Sequence, residues 1–157
     1  MKARDLRAPK KEGAGCLIFC RETDKFLLIE RSEYVPMPLT WSLPGGGVDH
    51  NESPEDAARR EVLEEIGFDL KDQLLKLIYT NEAHAPRFKF YTFACTVKHE
   101  FKPKLNYESS NYNWCDLSNM PSPLHWGLDQ LINHDRSAEI LKKFIDEQKI
   151  QVTFNKI

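Results

Sequence analysis

The chain has 157 residues, 41% of them apolar, with a net charge of −2 and a pI near 6.2; that is the size of one domain, with enough apolar residues for a core of ordinary depth. The charge balance gives no general attraction to anionic membranes or to nucleic acid, so a long nucleic acid is not the expected partner. No apolar run approaches the eighteen or so residues of a membrane span and the N-terminus lacks a signal-peptide core, so the expected location is cytoplasmic.

Met1 to Glu12 carries Lys2, Arg4, Arg7, Lys10 and Lys11 among few apolar residues and reads as a flexible arm, with a single domain over 13–157. Such an arm is either a contact for a polyanionic substrate or a solubilising tail. Gly13 to Cys20 and Phe26 to Glu30 are short apolar runs joined by a polar turn, Arg21 to Lys25, and predict a hairpin. Their near-continuous apolar character predicts strands covered on both faces. Arg31 to Thr40, with Pro36 and Pro38, predicts a loop, after which Trp41 stands at the mouth of the glycine stretch Gly45 to Gly47. Trp41 either stacks on a substrate base or sugar, or packs beneath the loop.

Ser53 is a good N-cap, Pro54 suits the first helical position, Asp56 completes a capping box and Gly67 suits a left-handed stop. These ends predict a helix over Pro54 to Ile66. On it Glu61, Glu64 and Glu65 fall at i, i+3 and i+4, neighbouring surface positions beside an apolar stripe of Ala58, Val62 and Ile66. Like charges at these spacings cost about 0.2–0.5 kcal/mol per pair, so the arrangement calls for a cation. Hard carboxylate oxygens without His or Cys partners suit Mg²⁺ or Mn²⁺ rather than zinc. Two ion pairs at i, i+4, Glu55 with Arg59 and Arg60 with Glu64, are also expected.

Further along, Leu74 to Tyr79 and Phe88 to Val97 predict two strands flanking a polar loop, Asn81 to Arg87. Alternation puts Arg87, Lys89 and Tyr91 on one strand face and Phe88 and Phe90 on the other. The basic face either holds a substrate phosphate or is a solvated strand edge. Lys102 to Asn113 reads as a loop, Trp114 to Leu117 as a short strand, and the spacings of Leu124, Leu128, Leu131 and Ile132 and of Ile140, Leu141, Phe144 and Ile145 predict two closing helices, with an extended tail from Ile150. The four cysteines, Cys16, Cys20, Cys95 and Cys115, form neither a CxxC nor a Cys/His cluster and read as reduced core residues. Strands too close together for βαβ crossovers throughout, followed by helices, give an α+β class with a mixed sheet between helices.

From Gly46 the chain runs Gly, five residues, Glu52, seven residues, Arg60-Glu61, Val62, Leu63, Glu64-Glu65, Ile66, Gly67, Phe68. This stretch resembles the signature of the Nudix (MutT-like) hydrolases at every fixed position. At an average usage near 7% per residue type, seven fixed identities recur by chance at about one in 10⁸ starting points. The resemblance implies a Nudix α/β/α sandwich. It also implies divalent metal on Glu61, Glu64, Glu65 and the Gly46 carbonyl, and Glu52 with Arg60 as a structural brace. Its expected chemistry is metal-dependent hydrolysis of a phosphoanhydride (pyrophosphate) bond in a nucleoside diphosphate linked to another moiety, the nucleotide derivative being the small-molecule partner. Glu61 and Glu64 are candidate catalytic groups. Relatives often recruit a further acid from a loop before a Trp-bearing strand. That position points to Glu108, the one acidic residue between Glu100 and Asp116, as a base or ligand, or else as a solvated loop residue. The upstream coenzyme A pattern is not matched, and Pro86 lies beyond the position where ADP-ribose hydrolases of the family carry a proline. Alternatives are an RNA 5′-pyrophosphohydrolase or cap hydrolase, a non-catalytic nucleotide-sensing Nudix-like module, and an acidic-helix interaction domain. The oligomeric state stays open, a homodimer included.

Overall fold

In the computed structural model, which describes residues 11–84 and 87–155, strands β1 (Lys11–Cys20) and β2 (Lys25–Arg31) point their side chains alternately into two apolar layers. Ala14, Cys16, Ile18 and Cys20 of β1 and Leu27 and Ile29 of β2 pack with Ala57, Ala58, Val62 and Ile66 of helix α1 (Pro54–Ile66). Leu17, Phe19, Phe26 and Leu28 face the other way, onto α2 (Trp126–Asn133) and α3 (Asp135–Asn155). Burial on both faces accounts for the unbroken hydrophobicity of the two runs. All four cysteines are free and buried.

Among the described residues the sheet is mixed and has seven strands. Its path is β3 (Trp41–Ser42), β2, β1, β6 (Arg87–Val97) and β5 (Lys76–His84), with β4 (Gly45–Gly47) paired to β1 and β7 (Ser109–Cys115) to β2. β1 and β2 form the expected antiparallel hairpin, and β1 runs parallel to β6 over its whole length, Lys11 opposite Phe88 to Cys20 opposite Val97. The α/β/α sandwich follows from helices on both faces of this sheet. No helix among the described residues is long and apolar enough to cross a membrane.

Several expected boundaries move. Lys11 and Glu12, read as part of the arm, begin β1, while residues 1–10 lie outside the described residues. Asn81 to His84, read as loop, continue β5 in register with β6, Asn81 opposite Phe90; Pro86 lies outside the described residues. Ser109 to Asn113, also read as loop, pair with β2, and their exposed Ser110, Asn111 and Asn113 hid the alternation. The expected extended tail from Ile150 is helical to Asn155.

Gly45 to Gly47 form a strand and not a free loop, and the reason for glycine there is close approach. A Cβ on Gly45 would sit 2.4 Å from the Ala14 carbonyl oxygen and 2.5 Å from Gly15 Cα, whereas one on Gly47 would meet nothing within 4 Å. Gly45→Ala therefore has to part β4 from β1 and is expected to cost about 1–3 kcal/mol, an overpacking penalty. Gly47→Ala should stay within about 0.5 kcal/mol of the parent. Urea unfolding of the two variants checks this, and equal midpoints would contradict it.

Candidate active site

Helix α1 carries the acidic residues, and its ends are set locally. Ser53 Oγ accepts the Asp56 N–H at 3.1 Å, and Gly67 adopts φ 69°, its N–H donating to the Leu63 carbonyl at 3.0 Å. Val62 and Ile66 are buried, each worth about 1.5–3 kcal/mol. That outweighs repulsion of about 0.2–0.5 kcal/mol per like-charged pair on the other face, so packing holds an acidic helix in place.

Three carboxylates converge. Glu61, Glu65 and Glu108 each offer an oxygen within 4.8 Å of the others. Glu65 is only 5% exposed; it accepts the Gly45 N–H at 3.1 Å and the Ser109 hydroxyl at 3.2 Å. Burial pushes its carboxyl up to about 8 against the pull of the Gly45 N–H, and the neighbouring Glu108 and Glu61 push the same way. Glu61 is also raised, by burial first, with Arg60 opposing. Glu61 lies so close to β4 that a Cβ on Gly46 would be 2.4 Å from its carboxyl carbon. Glu64, expected in the same set, stands outside this cluster: its side chain is 54% exposed and bonded to Arg60. Carboxylate oxygens gathered from two segments, one buried and two half-buried, without His or Cys, fit a hard divalent cation.

Arg60 gathers the acids around it. Its Nε and Nη2 donate to the two oxygens of Glu52 at 2.8 and 2.9 Å, Nη2 also donates to the Gly47 carbonyl at 2.9 Å, and Nη1 donates to Glu61 at 3.0 Å and Glu64 at 3.3 Å. The guanidinium holds the Glu52 carboxyl down at about 2. Helix and glycine strand are thus joined through Glu52 and Gly47. Arg59, by contrast, turns away, pairing with Glu55 and donating to the carbonyls of Leu70 and Gln73.

Glu108 is brought in by a residue that the sequence did not single out. Asn106 Nδ2 donates to the Glu64 carbonyl at 3.1 Å, its N–H donates to the Glu65 carbonyl at 3.2 Å, and its Oδ1 accepts the Glu108 N–H at 2.9 Å. The last turn of α1 and the segment before β7 are therefore clasped together. Ser32 N–H donates to the Glu108 carbonyl at 2.8 Å from the other side.

A cleft of about 230 Å³ opens on the far side of β4, lined among others by Gly45 to Gly47, Arg31, Phe88, Phe90, His125 and Trp126. Phe88 packs against Phe90 and Trp126, and Trp126 stacks on His125. His125 caps α2 by accepting the Gly127 N–H on Nδ1 at 3.1 Å. Burial, and then Arg31, lower its pKa, and with Nδ1 accepting, the ring proton is on Nε2. Arg87, Lys89 and Tyr91 do share one strand face, since Lys89 Nζ lies 4.9 Å over the Tyr91 ring, but that is the α1 side of the sheet and none of them lines the cleft. Trp41 does not line it either. Trp41 is 8% exposed, packs in the layer under α2 and α3, and is tied by backbone bonds to Pro123 and His125.

The family model described as NUDIX domain matches residues 9–134. Diphosphoinositol polyphosphate phosphohydrolase 2 of Rattus norvegicus is 40% identical over 88 residues, 55% of this chain and 46% of that protein, so the chain spans about half the length of this curated relative. The crystal structure of a MutT NUDIX hydrolase from Burkholderia pseudomallei superposes with a TM-score of 0.64 at 26% identity, covering 76% of this chain and 92% of that one. An Ap4A hydrolase of C. elegans shares the fold at 23% identity, with a TM-score of 0.63 over 85% of this chain and 94% of that one.

Two outcomes follow from the electrostatics. Between about 4.5 and about 8 the folded chain holds a proton on Glu65 that the unfolded chain has lost, so stability falls as pH rises across that window. Glu65→Gln removes the effect. In chelator, the melting midpoint of the parent relative to Glu65→Gln should drop from pH 5 to pH 8, and a flat difference would contradict the assignment. For Glu52 the sign is opposite, because its contribution is present above about 4.5 and lost as pH falls toward about 2. Glu52→Gln should therefore lower the midpoint at pH 7. Glu64→Gln, which removes an exposed ion pair, should stay within about 0.5 kcal/mol; melts showing the reverse ranking would overturn the assignment of the brace.

Proposed function

The chain belongs to the Nudix family, and from that premise we propose that it hydrolyses a phosphoanhydride bond in a nucleoside diphosphate linked to another moiety, with Mg²⁺ or Mn²⁺ as cofactor. The observation that carries this reading is the meeting of Glu61, Glu65 and Glu108 within 4.8 Å beside the glycine strand that also walls an aromatic cleft. Glu61, Glu65 and Glu108 would hold the ion, with Glu64 at the outer rim and the Gly46 carbonyl as a further ligand. A bound divalent ion neutralises phosphate oxygens, orients the anhydride and makes a water more acidic.

The protein's own groups do the rest. Glu108, its backbone fixed by Asn106 and Ser32, is the proposed base: it takes the proton of the water whose oxygen bonds to phosphorus, while the bond from that phosphorus to the bridging oxygen breaks and the second phosphate leaves. Arg60 keeps Glu61 and the Gly47 carbonyl in place. Phe88, Phe90 and Trp126 offer faces to a base.

The cleft favours a nucleoside over an inositol polyphosphate. Around it stand one arginine, His125 with a lowered pKa and the carboxylate of Glu12, whereas a ring bearing several phosphates calls for several cations. The RNA alternative rested on the basic arm, of which only Lys11 and Glu12 are described, both within β1. Reduced, buried cysteines accord with a cytoplasmic setting.

A panel of nucleoside diphosphate derivatives, dinucleoside polyphosphates, nucleoside triphosphates, diphosphoinositol polyphosphates and 5′-triphosphate RNA, each with Mg²⁺ or Mn²⁺, tests the reading. Turnover should need the ion and cease in excess EDTA, and undiminished turnover in chelator would sink it. Glu108→Gln should lower kcat by about 10² to 10⁴ and flatten its pH profile, the range for a lost general base. If Glu108→Gln keeps nearly full kcat while Glu61→Gln does not, the base is Glu61.

A further inference from the structure

Strand β2 ends in an irregularity at an arginine that lines the cleft. The β2–β7 register shifts between Glu30 and Arg31, so that Arg31 pairs with Ser109, the residue whose hydroxyl donates to Glu65. Bulges beside active sites commonly re-aim a side chain, and here Arg31 becomes part of the cleft wall. The following loop then closes back on it. Arg31 Nε donates to the Pro36 carbonyl at 2.7 Å, the Leu39 N–H donates to the Arg31 carbonyl, and the Arg31 N–H donates to the Thr40 carbonyl, each at 2.8 Å. This return is made through Met37 at φ 52° and Leu39 at φ 59°, left-handed conformations that side-chain-bearing residues adopt only under constraint.

The guanidinium is thus oriented without being neutralised. Among the described residues Arg31 forms no ion pair, and its one side-chain bond uses Nε, leaving both terminal amino groups for a ligand. It shares the cleft with His125, on which its charge acts. A held guanidinium lacking a carboxylate, in a cleft also lined by glycine backbone, is a site for a planar array of phosphate oxygens.

We propose that Arg31 binds the substrate phosphate that adjoins the moiety held in the cleft, and so determines specificity for an anionic phosphate at that position. This rests on the hydrolase reading only for its kinetic half. Inorganic phosphate serves as the direct probe, in chelator, with the full chain. In the parent, phosphate bound at Arg31 cancels part of the charge acting on His125, so the NMR titration midpoint of the His125 ring should rise on adding phosphate. In Arg31→Ala the midpoint should already be higher, and phosphate should not move it. A parent midpoint indifferent to saturating phosphate, or an Arg31→Ala response equal to the parent's, would overturn the proposal.

The kinetic half uses whichever anhydride the substrate panel identifies. Arg31→Ala should raise KM about 10- to 100-fold, the range of a lost charged hydrogen bond, with a smaller effect on kcat. Arg31→Lys should recover most of the loss, because it keeps the charge. A purely structural clasp predicts the opposite, since lysine cannot donate as Nε does, and an Arg31→Lys as impaired as Arg31→Ala would refute phosphate binding. If the parent hydrolyses nothing in the panel, the hydrolase reading fails, while the phosphate titration still decides the role of Arg31.

Discussion

Helix α1 can set Glu61 against strand β4 only because position 46 carries no side chain, and β4 can lie close to β1 only because position 45 carries none. The Gly45 N–H reaches the Glu65 carboxylate at 3.1 Å, and the Glu61 carboxyl occupies the place a Cβ at 46 would take. That contact puts two acids at the edge of the sheet and buries one of them almost completely. The remaining architecture serves it: β1 holds β4 in register through Gly13, Ala14 and Gly15, and Val62 and Ile66 press the helix onto the sheet. Burial at this point is also what raises the carboxyl of Glu65. The same packing therefore creates both the fit of the helix and its need for a cation.

Arg60 answers part of that need from within the chain. One guanidinium bridges Glu52, Glu61, Glu64 and the Gly47 carbonyl, and its bidentate bonds go to the acid outside the cluster. It therefore braces the glycine strand most strongly while touching only the margin of the three converging carboxylates. Glu65 and Glu108 receive nothing from it. Of these two Glu65 is the more buried, and a divalent ion taking the place of its proton would be worth most there.

What could be read in the sequence was what is determined locally. Caps at Ser53 and Gly67 depend on a few neighbouring residues, so the ends of α1 were legible to the residue, as were both i, i+4 ion pairs. The same spacing rule was too coarse for Glu64. At 3.6 residues per turn, Glu61 and Glu65 lie about 40° apart on the helix, while Glu64 stands about 60° from Glu61 on the other side; the sheet buries the first pair and leaves the third residue in water. Long-range features were out of reach for a different reason. The polar residues of β7 show no hydrophobic period, and the clasp by Asn106 and the bulge at Arg31 exist only once β7 has paired with β2. Trp41 and the Arg87 to Tyr91 face are the converse case, since alternation correctly groups side chains on a face but does not say which face meets the cleft.

The sheet separates two tasks. Acids braced by α1 lie on one side, and the aromatic groups set by β6 and α2 lie on the other, with β4 between them. Substitutions at well-separated positions combine nearly independently, so Phe88, Phe90 and Trp126 can be exchanged in evolution or by design with little disturbance to the acids. The exception is the end of β2, where consecutive residues serve both sides: Arg31 lines the cleft and Ser32 holds the Glu108 backbone. Changes in loop length between β2 and β3 would therefore reach the cleft wall and the Glu108 backbone at once. That short connection is the point at which diversification of this scaffold meets its tightest constraint.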